Sequence, residues 1–362
     1  MSLPLLHLVA CARPNLPKLA SLWRALHEPG AAPFCAPRLL HTGQHHDDRL
    51  FAGHLADLGL PRPHIALGVS GGSHAELTGR TMIACEAAWR AERPALVVVV
   101  GDVDGTLAAA LAARKLRIPV AHLEAGLRGG DPGMAEEINR RAVDAISDYL
   151  WAPSAAEAER LTASGHERAR VRAVGNTMAD TLLHLLPEAR RRDLPAGLRA
   201  GKYGVLTLHR AENVDAPERL SAWLGAVGLA AARLPLAWPV HPRTRARMEA
   251  FSLSPPPGVT VLPPLGYLDF AALLSRAKLV ATDSGGVQEE ATVADIPCLT
   301  LRETTERPLT LAAGGSRLLA PGTLVAAVEE VLAGRWPHAA PVPLWDREVG
   351  RRIRAHLREI LA

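Results

Sequence analysis

Between Leu96 and Val100 the chain carries five consecutive aliphatic residues, and Gly101 and Asp102 cut the run off. Five residues are too few for a buried helix and match the length of a strand. With no polar residue in alternation, such a strand has both faces covered. Strands of this kind belong to parallel sheets, which require a crossover helix between neighbours and gather ligands at their carboxyl ends. This run marks a buried central strand and points to the residues just beyond it, and the alternation of strands and helices around it indicates the α/β class.

The rest of the chain repeats the pattern. Residues 3–12 (LPLLHLVACA) end at Arg13-Pro14-Asn15 and lead into the helical stretch LPKLASLWRALHE, and APRLLHT leads into Gly43-Gln44-His45-His46. Gly71-Gly72-Ser73-His74 precedes a helix over 75–92. The spacing then predicts a helix over 105–116, a strand over 118–123 and a helix starting near Ala135, with VRAVGN at 171–176 closing the half. A second set opens with YGVLTL at 203–208, which ends in His209-Arg210. It runs through a helix at 216–233, LAWPV, His241-Pro242-Arg243, a helix at 269–276, VATDSGGVQEE at 280–290, a weak strand near SRLLA and a helix at 322–333. Residues 187–203 read as the passage between halves. The expected division is a first domain over 1–185, joined by a C-terminal helix at about 346–362, and a second over 186–345, with the polar strand ends facing a central cleft.

Composition narrows the function. At 362 residues the chain has room for two cores, and 48% hydrophobic with 22% charged residues describes a globular protein. A net charge of +4, with only three Tyr and four Phe for base stacking, argues against nucleic acid as a partner. The four cysteines lack the paired spacings of zinc or redox sites. No stretch reaches the ~20 apolar residues of a membrane helix and no basic leader precedes an apolar run, so a cytoplasmic protein away from membranes is expected.

Three carboxylates stand at glycine-lined strand ends or helix starts in the first half: Asp102, Glu124 and Glu136. Asp102 either caps the following helix or transfers protons. Glu124 either pairs with Arg128 or acts chemically, and Glu136 and Glu137 either complement a helix dipole or do chemistry. In the second half, Ser284-Gly285-Gly286 opens a helix whose first amides lack intrahelical acceptors, a place suited to phosphate, with Glu290 and Arg307 nearby in sequence. His209 and Arg210 stand at another strand end. A GxxxxGK[ST] loop and a GxGxxG turn after the first strand are both missing, so neither a P-loop nor a dinucleotide site is implied.

At these residues the chain resembles the non-hydrolysing UDP-N-acetylglucosamine 2-epimerases, which share the architecture of GT-B glycosyltransferases with two Rossmann-like α/β/α domains. The likeness is carried by ARPNLPK at 12–18, HTGQHHD at 41–47, GSHAELTG at 72–79, GDVDGTLAAAL at 101–111, IPVAHLEAGLR at 118–128 and AEEINR at 135–140. It continues through VLTLHRAENVD at 205–215, HPRTR at 241–245, PLGYLDF at 264–270, TDSGGVQEE at 282–290 and LRETTERP at 301–308. The resemblance implies acid/base roles for Asp102, Glu124 and Glu136 and places His209 near the diphosphate. Arg13 and Lys18 would approach the substrate and Phe270 would flank the uracil. Ser284, Gly285, Gly286 and Arg307 would hold phosphates, and Glu290 the ribose.

The implied reaction eliminates UDP across C1 and C2 to 2-acetamidoglucal and adds it back with C2 inverted, without nicotinamide or metal. It serves bacterial surface polysaccharide precursors. A homodimer is expected, and a second UDP-GlcNAc as activator would use Gln44, His45 and Arg210. The chain departs from the family pattern in GDVDGT, in the glycine-rich loop Gly129–Gly133 and in Leu309 after TERP. These departures leave the sugar substituents open. Rival readings are a hydrolysing 2-epimerase, an epimerase of a modified UDP-sugar such as a 2,3-diacetamido derivative, a GT-B glycosyltransferase and a silent nucleotide-sugar sensor.

Overall fold

A computed structural model describes residues 3–43, 48–129 and 132–362. The chain divides into two compact units, Met1–Thr181 with Pro343–Ala362, and Leu182–Val342.

In the first unit, strands β1 (Leu5–Ala10), β2 (Ala36–Gly43), β3 (Ile65–Val69), β4 (Leu96–Val100), β5 (Val120–Leu123), β6 (Tyr149–Ala152) and β7 (Val171–Ala173) alternate with helices. These are α1 (Asn15–Leu26), α2 (Asp48–Asp57), α3 (His74–Ala91), α4 (Asp104–Lys115), α5 (Ala135–Ile146), α6 (Ala155–Ala163) and α7 (Thr177–Ala189). The sheet order is β3-β2-β1-β4-β5-β6-β7, parallel throughout. The valine-rich run is β4, fully buried in the middle of the sheet. Trp89 of α3 and Val143 of α5 belong to the same core as its Val97 and Val99. The order reverses between β1 and β4, which makes the carboxyl ends of those two strands the switch point where a crevice opens.

The second unit holds β8 (Gly204–Thr207), α8 (Ala211–Val214), α9 (Pro217–Ala231), β9 (Leu236–Pro239), α10 (Pro242–Ala250), β10 (Val259–Leu262) and α11 (Tyr267–Ser275). It continues with β11 (Leu279–Thr282), α12 (Gly285–Val293), β12 (Cys298–Thr300), α13 (Pro308–Ala312), β13 (Ser316–Leu318) and α14 (Leu324–Leu332). Its parallel sheet runs β10-β9-β8-β11-β12-β13, with the reversal between β8 and β11. The two units thus share one grammar, each with a switch point beside its first strand.

The division between units falls inside α7 rather than in the passage that follows it. The apolar face of that helix explains this, because Leu182 and Ala189 pack with Leu268, Ala271 and Ala272 of α11. The last helix, α15 (Val349–Leu361), returns to the first unit and packs on α1. Gly350 permits the approach, since a Cβ there would lie 2.3 Å from the Ser21 carbonyl oxygen. Asp180 ties the junction by accepting from Ser21 Oγ at 2.6 Å, Arg24 at 2.5 Å and the Gly350 amide at 2.8 Å. Among the described residues no helix is long and apolar enough to cross a membrane.

Candidate functional site

The switch point of the first unit is built around Asn15. Its Oδ1 accepts the amides of Cys11 and Ala12, both at 3.0 Å, and its Nδ2 donates to the Val100 carbonyl at 3.4 Å, so one side chain joins the ends of β1 and β4. One helical turn on, Lys18 forms an ion pair with Glu124, which directly follows β5. Glu124 is only 6% exposed and holds a backbone φ of 72°, in the left-handed region that non-glycine residues avoid. Such a conformation costs about 1–3 kcal/mol and persists where the surroundings enforce it, commonly at functional sites. Here the Glu124 and Ala125 amides both donate to the Trp151 carbonyl of β6 at 3.1 Å.

Gly101 has a φ of 71° and lies against this pair. A Cβ there would sit 3.4 Å from Asn15 Nδ2 and 3.6 Å from both Glu124 Oε2 and Lys18 Nζ. Asp102, half-buried, receives Arg140 at 2.5 Å from the first turns of α5, and its carbonyl accepts Asn139 Nδ2 at 2.9 Å. It does not cap α4, whose N-cap is Val103. Glu136 is half-buried in the same first turn of α5. Glu137 is fully buried and is the structural acid of that turn. It accepts the Gly129 amide at 2.8 Å, Arg140 at 3.0 Å and Arg141 at 2.9 Å, and these partners outweigh its burial and hold its carboxyl below the usual range.

Arg128 does not pair with Glu124. It donates to Asp144 at 2.7 Å, because Asp144 already faces that loop through the Gly126 amide at 3.2 Å. Burial raises the Asp144 carboxyl, but His122 and Arg128 outweigh it and keep the group below the usual range. At the edge of this cluster, exposed His74 meets Asp104 at 2.7 Å and is raised by that bond, with Glu136 contributing. Arg13 is exposed in the β1–α1 turn.

In the second unit the switch point is organised by Asp283, fully buried at the end of β11. Its Oδ2 accepts the amides of His209 and Arg210, both at 2.8 Å, and its Oδ1 lies 3.0 Å from His209 Nδ1. Burial works against the anion, yet the His209 side chain and these amides depress the Asp283 carboxyl. His209 is thereby held at the end of β8, its ring 5.2 Å from that of His241. Next to it α12 begins at Gly285, and by helix geometry the amides of Gly285, Gly286 and Val287 have no intrahelical acceptor. The Ser284 hydroxyl does not cap them, and its amide donates to Thr282 Oγ1 at 3.0 Å.

The loop after β12 brings arginines to this helix start. Glu306 accepts Arg210 at 2.7 Å and Arg302 at 2.6 Å, while Arg307 lies 3.0 Å from Glu289 of α12. Burial raises Glu306, but Arg210, Arg307 and Arg302 together hold its carboxyl far below the usual range. Gly285 is required here, because a Cβ would come 2.8 Å from Glu306 Oε1 and 3.5 Å from Arg307 Nε. Glu290 is also buried and takes the Tyr267 hydroxyl at 2.9 Å. Its burial pushes its carboxyl up to about 7, opposed by the Tyr267 bond and assisted by Glu289. Phe270 is half-buried and packs on the core of Tyr203, Val205 and Val280.

The structure therefore gathers Lys18, Glu124 and Gly101 into one cluster and ties Asp102, through Arg140, to α5, the helix that carries Glu136. In the other unit it gathers His209, Arg210, Gly285 and Arg307. Gln44 and His45 lie outside the described residues. Sequence reasoning missed Asn15, Asp283 and Tyr267 as organising groups, and Lys18 as the partner of Glu124. The signal for Lys18 is its place in α1 between Asn15 and Ser21, three residues to either side, which puts a charge on a buried face of the helix. Among the described residues no group of three His, Cys, Asp or Glu could hold a metal ion.

Two parallel Rossmann-like units, each with its charged groups at the switch point, define an α/β protein of the GT-B-like class. Residues 30–358 match the family model described as UDP-N-acetylglucosamine 2-epimerase, and the chain belongs to that family. It is 38% identical to the UDP-N-acetylglucosamine 2-epimerase of Methanocaldococcus jannaschii over 96% of this chain and 97% of that one. It is 40% identical to the UDP-2,3-diacetamido-2,3-dideoxy-D-glucuronate 2-epimerase of Pseudomonas aeruginosa over 82% of each. The crystal structure of the M. jannaschii enzyme in complex with UDP-GlcNAc and UDP superposes with a TM-score of 0.88 at 36% identity, covering 98% of this chain and 99% of that one.

Proposed function

We propose that the chain interconverts UDP-GlcNAc and UDP-ManNAc by eliminating UDP and adding it back, supplying surface polysaccharide precursors. The observation that carries this reading is Glu124, a carboxylate enclosed at a strand end, held in a strained backbone conformation and ion-paired with Lys18. Removing the C2 proton needs such a fixed base. As the proton leaves, the C1–O bond breaks, its electron pair departs with UDP, and a C1=C2 double bond remains. Return of UDP to C1, with a proton delivered to the other face of C2, completes the inversion.

Asp102 and Glu136 are the other groups assigned to proton transfer at C2. Lys18 orients Glu124 through their ion pair, and Lys18 and exposed Arg13 are assigned to approach the substrate. The leaving diphosphate is assigned to the first amides of α12 with Ser284, Gly285 and Gly286, aided by His209 and Arg307. Arg302 and Glu306 fix that arginine loop rather than meeting substrate. Glu290 is assigned to the ribose hydroxyls and Phe270 to the uracil. The same reading takes the protein to be a cytoplasmic homodimer that works without nicotinamide or metal, with a second UDP-GlcNAc as activator.

A second reading, the epimerisation of a 2,3-diacetamido uronate, is favoured by the 40% identity to the Pseudomonas aeruginosa enzyme named for that sugar. The test is NMR of products formed in D2O. UDP-GlcNAc should yield UDP-ManNAc carrying deuterium at C2, with no stoichiometric free UDP. Conversion only of the diacetamido uronate would select the second reading, and deuterated ManNAc with one equivalent of UDP would select a hydrolysing enzyme. Protium retained at C2 would exclude the elimination route.

A further inference from the structure

The imidazole of His122 is enclosed completely within β5, and both of its nitrogens are engaged. Nδ1 lies 2.8 Å from Asp144 Oδ1 and Nε2 lies 2.9 Å from the Gly101 carbonyl oxygen. A carbonyl oxygen can only accept, and so can an ionised carboxylate. A neutral imidazole carries one N–H, so one of the two contacts would set lone pair against lone pair in a place water does not reach. Only the doubly protonated ring satisfies both.

The location gives that charge a purpose. Gly101 immediately precedes Asp102 and lies against Glu124 and Lys18. Asp144 is on α5, the helix whose first turns present Glu136 and send Arg140 and Asn139 to Asp102. Glu124 is itself two residues beyond His122 in the chain. We propose that His122 is a positioning residue, whose doubly protonated ring locks the ends of β4 and β5 to α5 and so sets the spacing of the three carboxylates. This role rests on the acid/base reading of those carboxylates. The ionisable groups around the ring are Asp144 from α5, Arg128 behind Asp144 from the β5–α5 loop, and Glu124 and Lys18 beyond Gly101.

The charge is tested on the native chain without substrate, so it stands or falls separately from the reaction. In chain carrying 15N-labelled histidine, long-range 1H–15N spectra between about pH 6 and 8.5 should show both His122 nitrogens protonated. The signal is assigned by its loss in His122→Gln, or by its conversion to a neutral pattern in Asp144→Asn should the first variant fail to fold. One protonated and one bare nitrogen at neutral pH in the native chain would overturn the proposal. For the positioning role, folded His122→Gln should lose about a hundredfold in kcat while the substrate KM stays within about threefold, as expected of misplaced reacting groups. An unchanged kcat in that variant would overturn the positioning.

Discussion

The two switch points share a topology and differ in chemistry. At the β1/β4 end of the first unit, carboxylates converge on few cations, with Glu124 on Lys18 and Asp102 on Arg140, and the backbone is strained at Glu124. At the β8/β11 end of the second, arginines 210, 302 and 307 crowd around Glu306 at the open start of a helix. The first arrangement suits moving a proton, and the second suits holding a spread negative charge. One fold grammar therefore carries either task, and the loop residues after the strands decide which.

The sharpest way to break this contrast is Glu124→Gln. It should lower turnover by about a thousandfold, the scale of a lost acid/base group, while circular dichroism shows an intact fold. Turnover within tenfold of native would move the chemistry away from this cluster. Next in size are two glycines. Gly285→Ala places a methyl against Glu306 and Arg307 and should weaken UDP binding by about tenfold, through crowding of ~1–3 kcal/mol. Gly101→Ala meets nothing closer than 3.4 Å but must hold a φ of 71°, so it should cost about 1 kcal/mol of stability and leave UDP affinity alone. Titration calorimetry and thermal melting separate the two, and equal losses of UDP affinity would erase the distinction.

Much of this was legible in the sequence because it is written in local pattern. The aliphatic run at 96–100, the Ser-Gly-Gly turn and the strand-end His209 each declare their element within a few residues. What the pattern hid is long-range or conformational. Nothing local shows that Glu124 takes a left-handed backbone, or that its partner is Lys18 from another element rather than the near neighbour Arg128. His122 reads as one polar residue in a strand until Asp144 and Gly101 are placed around it.

The smallest expected effect lies within the second unit, where two buried carboxylates are shifted in opposite directions. Glu290 is raised to about 7 by burial, so it binds its proton more tightly when folded. Its contribution to stability is present at acid pH and is lost as pH rises from its ordinary value through 7. Glu306 is held low by its arginines, so its contribution is lost only as pH falls into the acid range. Between pH 5 and 8 the melting transition of this unit should therefore drop by about 5 °C, and Glu290→Gln should flatten the profile. A native profile that rises with pH would contradict the sign.

Chemistry is assigned to the first unit and anion binding to the second. The most direct test is UDP affinity measured by calorimetry on Glu124→Gln beside Arg307→Ala. Native-like affinity is expected for the first and a loss of about ten- to a hundredfold for the second, the scale of a lost charge-assisted pair. Equal losses in the two variants, or a larger loss in Glu124→Gln, would contradict it.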